Sequence, residues 1–357
     1  MPRVPLDFAD PAQSAQAAFA TAVRGFDPAR PVLIVGHFDA DGLAAVAVLA
    51  RAMTAAGIDH AVRILGKGEN PWDAAFADEV RTGDHGGLIV TDLGVRGDPV
   101  ADGVPTILID HHAPTGTPGD GTLAISGNGL VPEPTSALLA WWCARALGDA
   151  DDLLWLAAMG LIGDMAPEDG FPELATAQAR WGKTALRNAV SLVNAPRRAA
   201  AADAAPALAL LLKADGPKDI LSGAHPETQM LLDAKAEVNA ALAEAKRVPP
   251  RVQGDVALIR FASPCQIHPL IAQQWRGRLK DKIVLAANTG YRDGWVHFAA
   301  RSASGRDLIA FLAEHRPDGA GAHYGNGHVQ ATGGALRPAE WNAFVRDLGF
   351  PSEQVPA

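Results

Sequence analysis

The stretch Thr106-Ile-Leu-Ile-Asp110-His111-His112 decides how this chain is read. A short, apolar, β-branched run bounded by Pro105 and Pro114 reads as a buried parallel strand, and three ionisable residues follow directly on it. In an open α/β sheet, ligands sit in the crevice beyond the carboxyl ends of the strands, which is where Asp110, His111 and His112 would stand. The arrangement recurs. Residues 32–35 (VLIV) run into Gly36-His37-Phe38-Asp39-Ala40-Asp41-Gly42, residues 88–91 (LIVT) run into Asp92, and the apolar stretch 153–162 ends in Gly163-Asp164. If these four C-terminal ends converge, they form a cluster of carboxylates and imidazoles with the composition of a divalent-metal site.

Outward from that stretch, the spacing predicts alternating β and α elements and hence a parallel sheet. A first helix is expected over 11–23, a small-residue helix over 42–56 stopped by Gly57, a strand over 60–65 and a helix over 71–81. Helices follow over 135–147 and 152–163, capped by Thr135 or Ser136 and by Asp151. Trp141-Trp142-Cys143 reads as core. Residues 171–246 are Ala/Leu-rich and strand-poor, with one long helix over 227–247 that the prolines of Val248-Pro249-Pro250-Arg251 end. Beyond them the β/α rhythm resumes, with strands over 256–261, 283–287 and 295–301, helices over 269–279 and 306–315, and a Gly-rich stretch over 319–334. The expected architecture is α/β: a Rossmann-like parallel-sheet domain over 1–170, a helical region and linker over 171–250, and a smaller α/β domain over 251–357.

At 357 residues the chain exceeds the size of a single growing core. With 48% hydrophobic and 20% charged residues it has an ordinary soluble composition. Its apolar runs are too short to span a membrane, and no signal-peptide pattern opens it, so the expectation is a cytoplasmic protein with no membrane partner. Cys143 and Cys265 support neither a disulfide framework nor a thiolate metal site. The net charge of −9 hides an asymmetry, since residues 246–337 hold 13 Lys/Arg against 6 Asp/Glu. The acidic part suits metal and the basic part suits phosphates. The sequence carries no signal of oligomeric state.

A lone His-x-Asp-x-Asp is a weak signal, because aspartate often caps helices. Joined to Asp92, His111 and Asp164 it favours hard or borderline ions such as Mn²⁺ or Mg²⁺ over structural zinc. Two ions about 3.5 to 4 Å apart would suit in-line attack on phosphorus. The Gly-rich stretch, with Gly327 and His328, would let the backbone approach a phosphate. Arg301 and Ser302 at a strand end, and Arg306 at a helix start, add a phosphate fork and a hydroxyl.

These motifs resemble the DHH phosphoesterase superfamily: HFDADG at 37–42, the aspartate of VTDLG at 92, LIDHH at 108–112 and GLIGD at 160–164, in that order. The C-terminal part is similar to the DHH-associated domain, and VHFAARSASGRDL with HVQATGG looks most like RecJ-type single-strand exonucleases. Nano-RNases and cyclic-dinucleotide phosphodiesterases are siblings. The resemblance implies that His37 and Asp39 hold one metal, that Asp41, His111 and Asp164 hold the other, and that Asp92 bridges both. It implies that Asp110 orients the neighbouring imidazole, that His112 contacts the scissile phosphate or protonates the leaving oxygen, and that Arg301, Ser302, Gly327 and His328 hold the nucleotide end. Family members place the active site in a cleft between two domains.

Two departures accompany the match. Asn326 stands where a glycine usually precedes the Gly-His pair. The short text after Gly334 leaves no room for the extra oligonucleotide-binding module of full-length RecJ enzymes, which favours a shorter substrate. The expectation is a metal-dependent phosphodiesterase that cuts single-stranded DNA or short oligonucleotides from an end by a two-metal hydroxide mechanism, releasing nucleoside monophosphates. Hydrolysis of a cyclic dinucleotide or another small nucleotide is the alternative. A non-catalytic nucleotide sensor is disfavoured because all six ligand positions are filled. A family II inorganic pyrophosphatase is disfavoured because of the Gly-rich stretch.

Overall fold

In a computed structural model of the chain, residues 4–7, 9–321 and 324–356 are described; the side chains of residues 4, 5, 326 and 328 lie outside that description. The chain divides into two compact units, Met1–Arg197 with Ala202–Asp233, and Arg198–Ala201 with Ala234–Ala357.

The first unit begins with β1 (Val4–Pro5), α1 (Pro11–Val23), β2 (Val32–His37), α2 (Ala40–Ala55), β3 (His60–Leu65), α3 (Ala74–Thr82), β4 (Gly87–Thr91), β5 (Thr106–Asp110) and β6 (Thr122–Ser126). Helices follow: α4 (Ser136–Ala144), α5 (Leu154–Gly163), α6 (Pro172–Trp181), α7 (Lys183–Val193), α8 (Ala195–Arg198), α9 (Ala205–Lys213), α10 (Pro217–Ile220) and α11 (Pro226–Ala245), which runs on into the second unit. The six strands pair in parallel in the order β1-β6-β5-β4-β2-β3. Both faces are covered: Val32, Ile34, Ile89 and Ile107 pack with α1, α2, α4 and α5, while Leu33, Val35, Leu88 and Val90 pack with Phe76 and Val80 of α3. Burial on both faces is why these strands read as continuous apolar runs. After β3 the chain returns across β2 to form β4, so the strand order reverses between β2 and β4. That reversal opens a crevice at their carboxyl ends.

Close packing of β2 on α2 depends on Gly36, where a Cβ would overlap the Val46 side chain. The helix expected from 152, with Asp151 as its cap, is corrected: a 3₁₀ turn occupies Asp151–Leu153, and α5 begins at Leu154 with no side chain capping it.

The second unit contains β7 (Arg251–Gln253), β8 (Val256–Phe261), α12 (His268–Arg276), β9 (Ile283–Arg292), β10 (Trp295–Ser302), α13 (Leu308–Glu314), β11 (Tyr324–His328), β12 (Ala331–Leu336) and α14 (Pro338–Asp347). They form a mixed sheet in the order β11-β12-β10-β9-β8-β7. The Gly-rich stretch is therefore a β-hairpin, not an open loop: its paired backbone groups are used within the sheet, and β11 forms its edge. Phe261, Tyr291, Phe298 and Tyr324 are buried. Among the described residues no helix is long and apolar enough to cross a membrane.

Candidate metal centre

The carboxyl ends of β2, β4 and β5, the start of α2 and the C-terminal end of α5 bring seven of the residues singled out in the sequence together. Donor atoms of His37, Asp39 and Asp92 lie within 4.8 Å of one another, as do those of Asp41, His111 and Asp164, and those of Asp92, His111 and His112. Asp92 belongs to two of these groups.

Local structure fixes each side chain. Asp39 caps α2 through Oδ1, which accepts from the Gly42 N–H at 3.1 Å. Its Oδ2 stays in the crevice, 3.1 Å from His37 Nδ1, so capping and metal-type presentation use different oxygens of one carboxylate. Asp41 points the other way, where the Ser136 and Ala137 N–H groups at the start of α4 donate to it at 2.8 and 2.9 Å. The positive end of that helix favours the negative charge. Ser136 Oγ in turn donates to Asp92 Oδ1 at 3.0 Å. Asp92 sits just past β4 with φ of 60°, a left-handed conformation uncommon outside glycine, asparagine and aspartate.

Asp110 at the end of β5 accepts from the Gly94 N–H at 2.7 Å and from the His112 N–H at 2.7 Å. Its Oδ1 is 3.0 Å from His112 Nδ1, which turns that half-exposed imidazole so that Nε2 is the nitrogen able to serve a substrate. His111 is enclosed: Nδ1 lies 3.4 Å from Glu133 Oε1, and Nε2 lies 3.3 Å from Asp164 Oδ2 and 3.6 Å from Asp92 Oδ1. Nε2 is buried and makes no hydrogen bond among the described residues.

The electrostatics are those of an anionic cluster short of positive charge. Burial and the Asp164 charge raise Asp41 to about 7. Burial, with the Asp41 and Asp39 charges, pushes Asp92 well above the usual carboxylate range. Burial opposes protonation of His111, yet Asp164 and Asp41 beside it push it up to about 9. Hydrogen bonding to Asp110 raises His112. Asp39 is the exception: against its burial, the His37 imidazole and the Arg197 guanidinium hold it well below its ordinary value. Oxygen-rich donors, buried like charges and an orphaned imidazole nitrogen aimed among them fit divalent cations of the Mn²⁺ or Mg²⁺ type.

Three residues of this centre carry no functional signal in the sequence. Ser136 reads only as a helix cap. Glu133 lies in an irregular loop. Arg197, on α8, donates from Nη1 to Asp39 Oδ2 at 2.8 Å across 158 residues of chain.

The four residues singled out for the substrate lie in the second unit. Arg301 is half-buried and donates from Nη1 to the Ala300 and Thr332 carbonyls at 2.9 and 3.1 Å. Ser302 is buried, its Oγ 2.8 Å from Ser304 Oγ. Arg276 of α12, also without a sequence signal, donates to the Ser302 carbonyl at 2.9 Å and adds a cation beside Arg301. Arg306 precedes α13, where it pairs with Asp255, and Asp307 caps the helix instead. Gly327 has φ of 136° within β11, and the side chain of His328 lies outside the described residues.

No family model matches the chain. A 151-residue stretch is 31% identical to the single-stranded-DNA-specific exonuclease RecJ of Thermus thermophilus, covering 38% of this chain and 22% of that protein. The crystal structure of Thermus thermophilus RecJ in complex with Mn²⁺ superimposes with a TM-score of 0.71 at 22% identity, over 99% of this chain and 56% of that one. Over the 151-residue stretch the chain is similar in sequence to RecJ, and over nearly its whole length it shares the fold of the solved RecJ. A solved DHH domain, described as a member of a ribosomal-protein family, also matches, with a TM-score of 0.61 at 16% identity over 98% of this chain and 91% of that one. The chain thus spans about half the length of the solved RecJ and far less of the curated relative in its matched stretch.

Proposed function

We propose that this RecJ-like chain is a metal-dependent phosphodiesterase acting on single-stranded nucleic acid or short oligonucleotides from an end, releasing nucleoside monophosphates. The observation that carries the proposal is the convergence of three overlapping donor groups on the reversal point of a parallel sheet, with Asp92 common to two of them. His37, Asp39 and Asp92 would hold one divalent cation, and Asp41, His111 and Asp164 the other, with Asp92 shared; Mn²⁺ suits this donor set, and Mg²⁺ is the second choice. The RecJ likeness supports the same choice of ion and substrate class.

Held by these residues, the two cations would supply water activation for attack on phosphorus and positive charge for the oxygens there. The protein's own groups do the rest. Glu133 beside Nδ1 orients His111 so that Nε2 faces the carboxylates. Ser136 fixes Asp92, and the α4 N–H groups fix Asp41. Asp110 holds His112 through Nδ1, and its Nε2 would deliver a proton to the departing oxygen. Arg301, Ser302, Gly327 and His328 would hold the nucleotide end.

The experiment is turnover in Mn²⁺ on 5′- and 3′-labelled single-stranded DNA and RNA of graded length, with cyclic dinucleotides beside them. Monophosphates released stepwise from one labelled end are expected. Internal cuts, or hydrolysis of cyclic dinucleotides alone, would overturn the end-directed reading. The logarithmic salt dependence separates long from short substrates, since each phosphate contacted on a single strand adds roughly 0.7 to the slope.

A further inference from the structure

Arg197 is built against one half of the metal centre. Its Nη1 donates to Asp39 Oδ2 at 2.8 Å, the same oxygen that lies 3.1 Å from His37 Nδ1. Three residues earlier, Asn194 Oδ1 accepts from the Ala40 N–H at 3.0 Å, which pins the α7–α8 junction to the start of α2. The guanidinium carbon lies 6.0 Å from the centroid of the Phe38 ring, and its buried Nε makes no hydrogen bond among the described residues. On the other half of the centre, the ion pairs seen with Asp41 and Asp164 are made by His111, an imidazole that is neutral when it acts as a ligand.

Resting on the metal-dependent reading above, we propose that Arg197 makes the His37–Asp39–Asp92 position the weaker of the two metal positions, so that Asp41–His111–Asp164 fills first. A cation taking Asp39 Oδ2 at an ordinary metal–oxygen distance would sit roughly 5 Å from the Arg197 nitrogen. A divalent charge and a guanidinium at that range repel by more than thermal energy in a partly buried site. The Asp39 oxygen is also shared, so the ion competes with a charge-assisted hydrogen bond for its electron density. The chain would then be half-loaded at low metal, and its His37–Asp39–Asp92 position would fill only when the metal concentration rises.

Equilibrium titration of the full chain with Mn²⁺, read by calorimetry and by the electron paramagnetic resonance signal of the free ion, tests this without substrate. Wild type is expected to show two classes of site, Asp39→Asn to lose the weaker and Asp164→Asn to lose the tighter. Arg197→Met should tighten the weaker class by roughly tenfold or more and leave the tighter one in place. Arg197→Gln provides the same readout if the methionine variant does not fold, while Arg197→Lys should keep the classes apart. A weaker class that is unchanged or loosened in both neutral variants would overturn the proposal, because the arginine would then support Asp39 as a ligand. Wild type that binds no Mn²⁺ would overturn the two-metal reading itself.

Discussion

Asp92 concentrates the strain and charge of the centre: it is buried, left-handed in φ, and surrounded by carboxylates. Without metal its charge is a burden on the fold, as buried ionisable groups without full compensation are. Asp92→Asn keeps a side chain that tolerates positive φ and removes the charge. We expect it to raise the melting temperature of the metal-free chain by a few degrees, corresponding to about 1 kcal/mol or more, and to abolish the further rise that Mn²⁺ confers on wild type. Thermal melting of both proteins with and without Mn²⁺ checks this. Ser136→Ala removes the hydroxyl that holds Asp92 Oδ1, and a loss of roughly 10- to 100-fold in Mn²⁺ affinity with little change in metal-free melting is expected from titration. The candidate ligands are legible in the sequence because each stands at the end of an apolar run. Arg197, Ser136 and Glu133 are not: nothing in local spacing tells that a residue 158 positions away will pair with Asp39, or that a helix start will donate to two aspartates.

At the scale of elements, α5 must approach Asp41 closely, and Gly160 is what lets it. A Cβ there would overlap Asp41 Oδ1 and crowd the Ala137 side chain, whereas one at Gly163 would meet Ala40 Cβ at 3.3 Å, a contact that a small shift relieves. Gly160→Ala is expected to destabilise the fold by about 1–3 kcal/mol and to lose Mn²⁺ binding, while Gly163→Ala keeps the metal site. Denaturant unfolding and Mn²⁺ titration of the pair check the contrast. The parallel strands and the α2 helix can be read from the sequence because burial on both sheet faces leaves an unbroken apolar signature. β6 escapes such a reading since its five residues, TLAIS, follow a Pro- and Gly-rich stretch and end in no ionisable group. The hairpin of β11 and β12 is hidden because glycine content signals a turn, although here edge pairing organises it.

At the scale of the molecule, two units with separate cores should answer to different conditions. Mn²⁺ belongs to the first. Acid belongs to the second, through His268 of α12, which burial, with nearby His297 and Arg301, pushes down to about 3. The unfolded chain protonates this histidine near 6.5 while the folded unit does not, so its contribution is complete above that pH and is lost as pH falls toward 3. Calorimetry is expected to show two components, one raised by Mn²⁺ and one that loses roughly 2 kcal/mol between pH 7 and pH 5. His268→Phe should flatten that acid dependence.

The most direct test is hydrolysis of 5′-labelled single-stranded DNA by wild type and Asp92→Asn in Mn²⁺ and in chelator. Cleavage by wild type that needs the metal and falls more than about a hundredfold in the variant is expected, since even residues that only support a metal ligand are typically worth 10- to 100-fold. Cleavage that survives chelation, or an Asp92→Asn chain as active as wild type, would contradict the metal-centred mechanism.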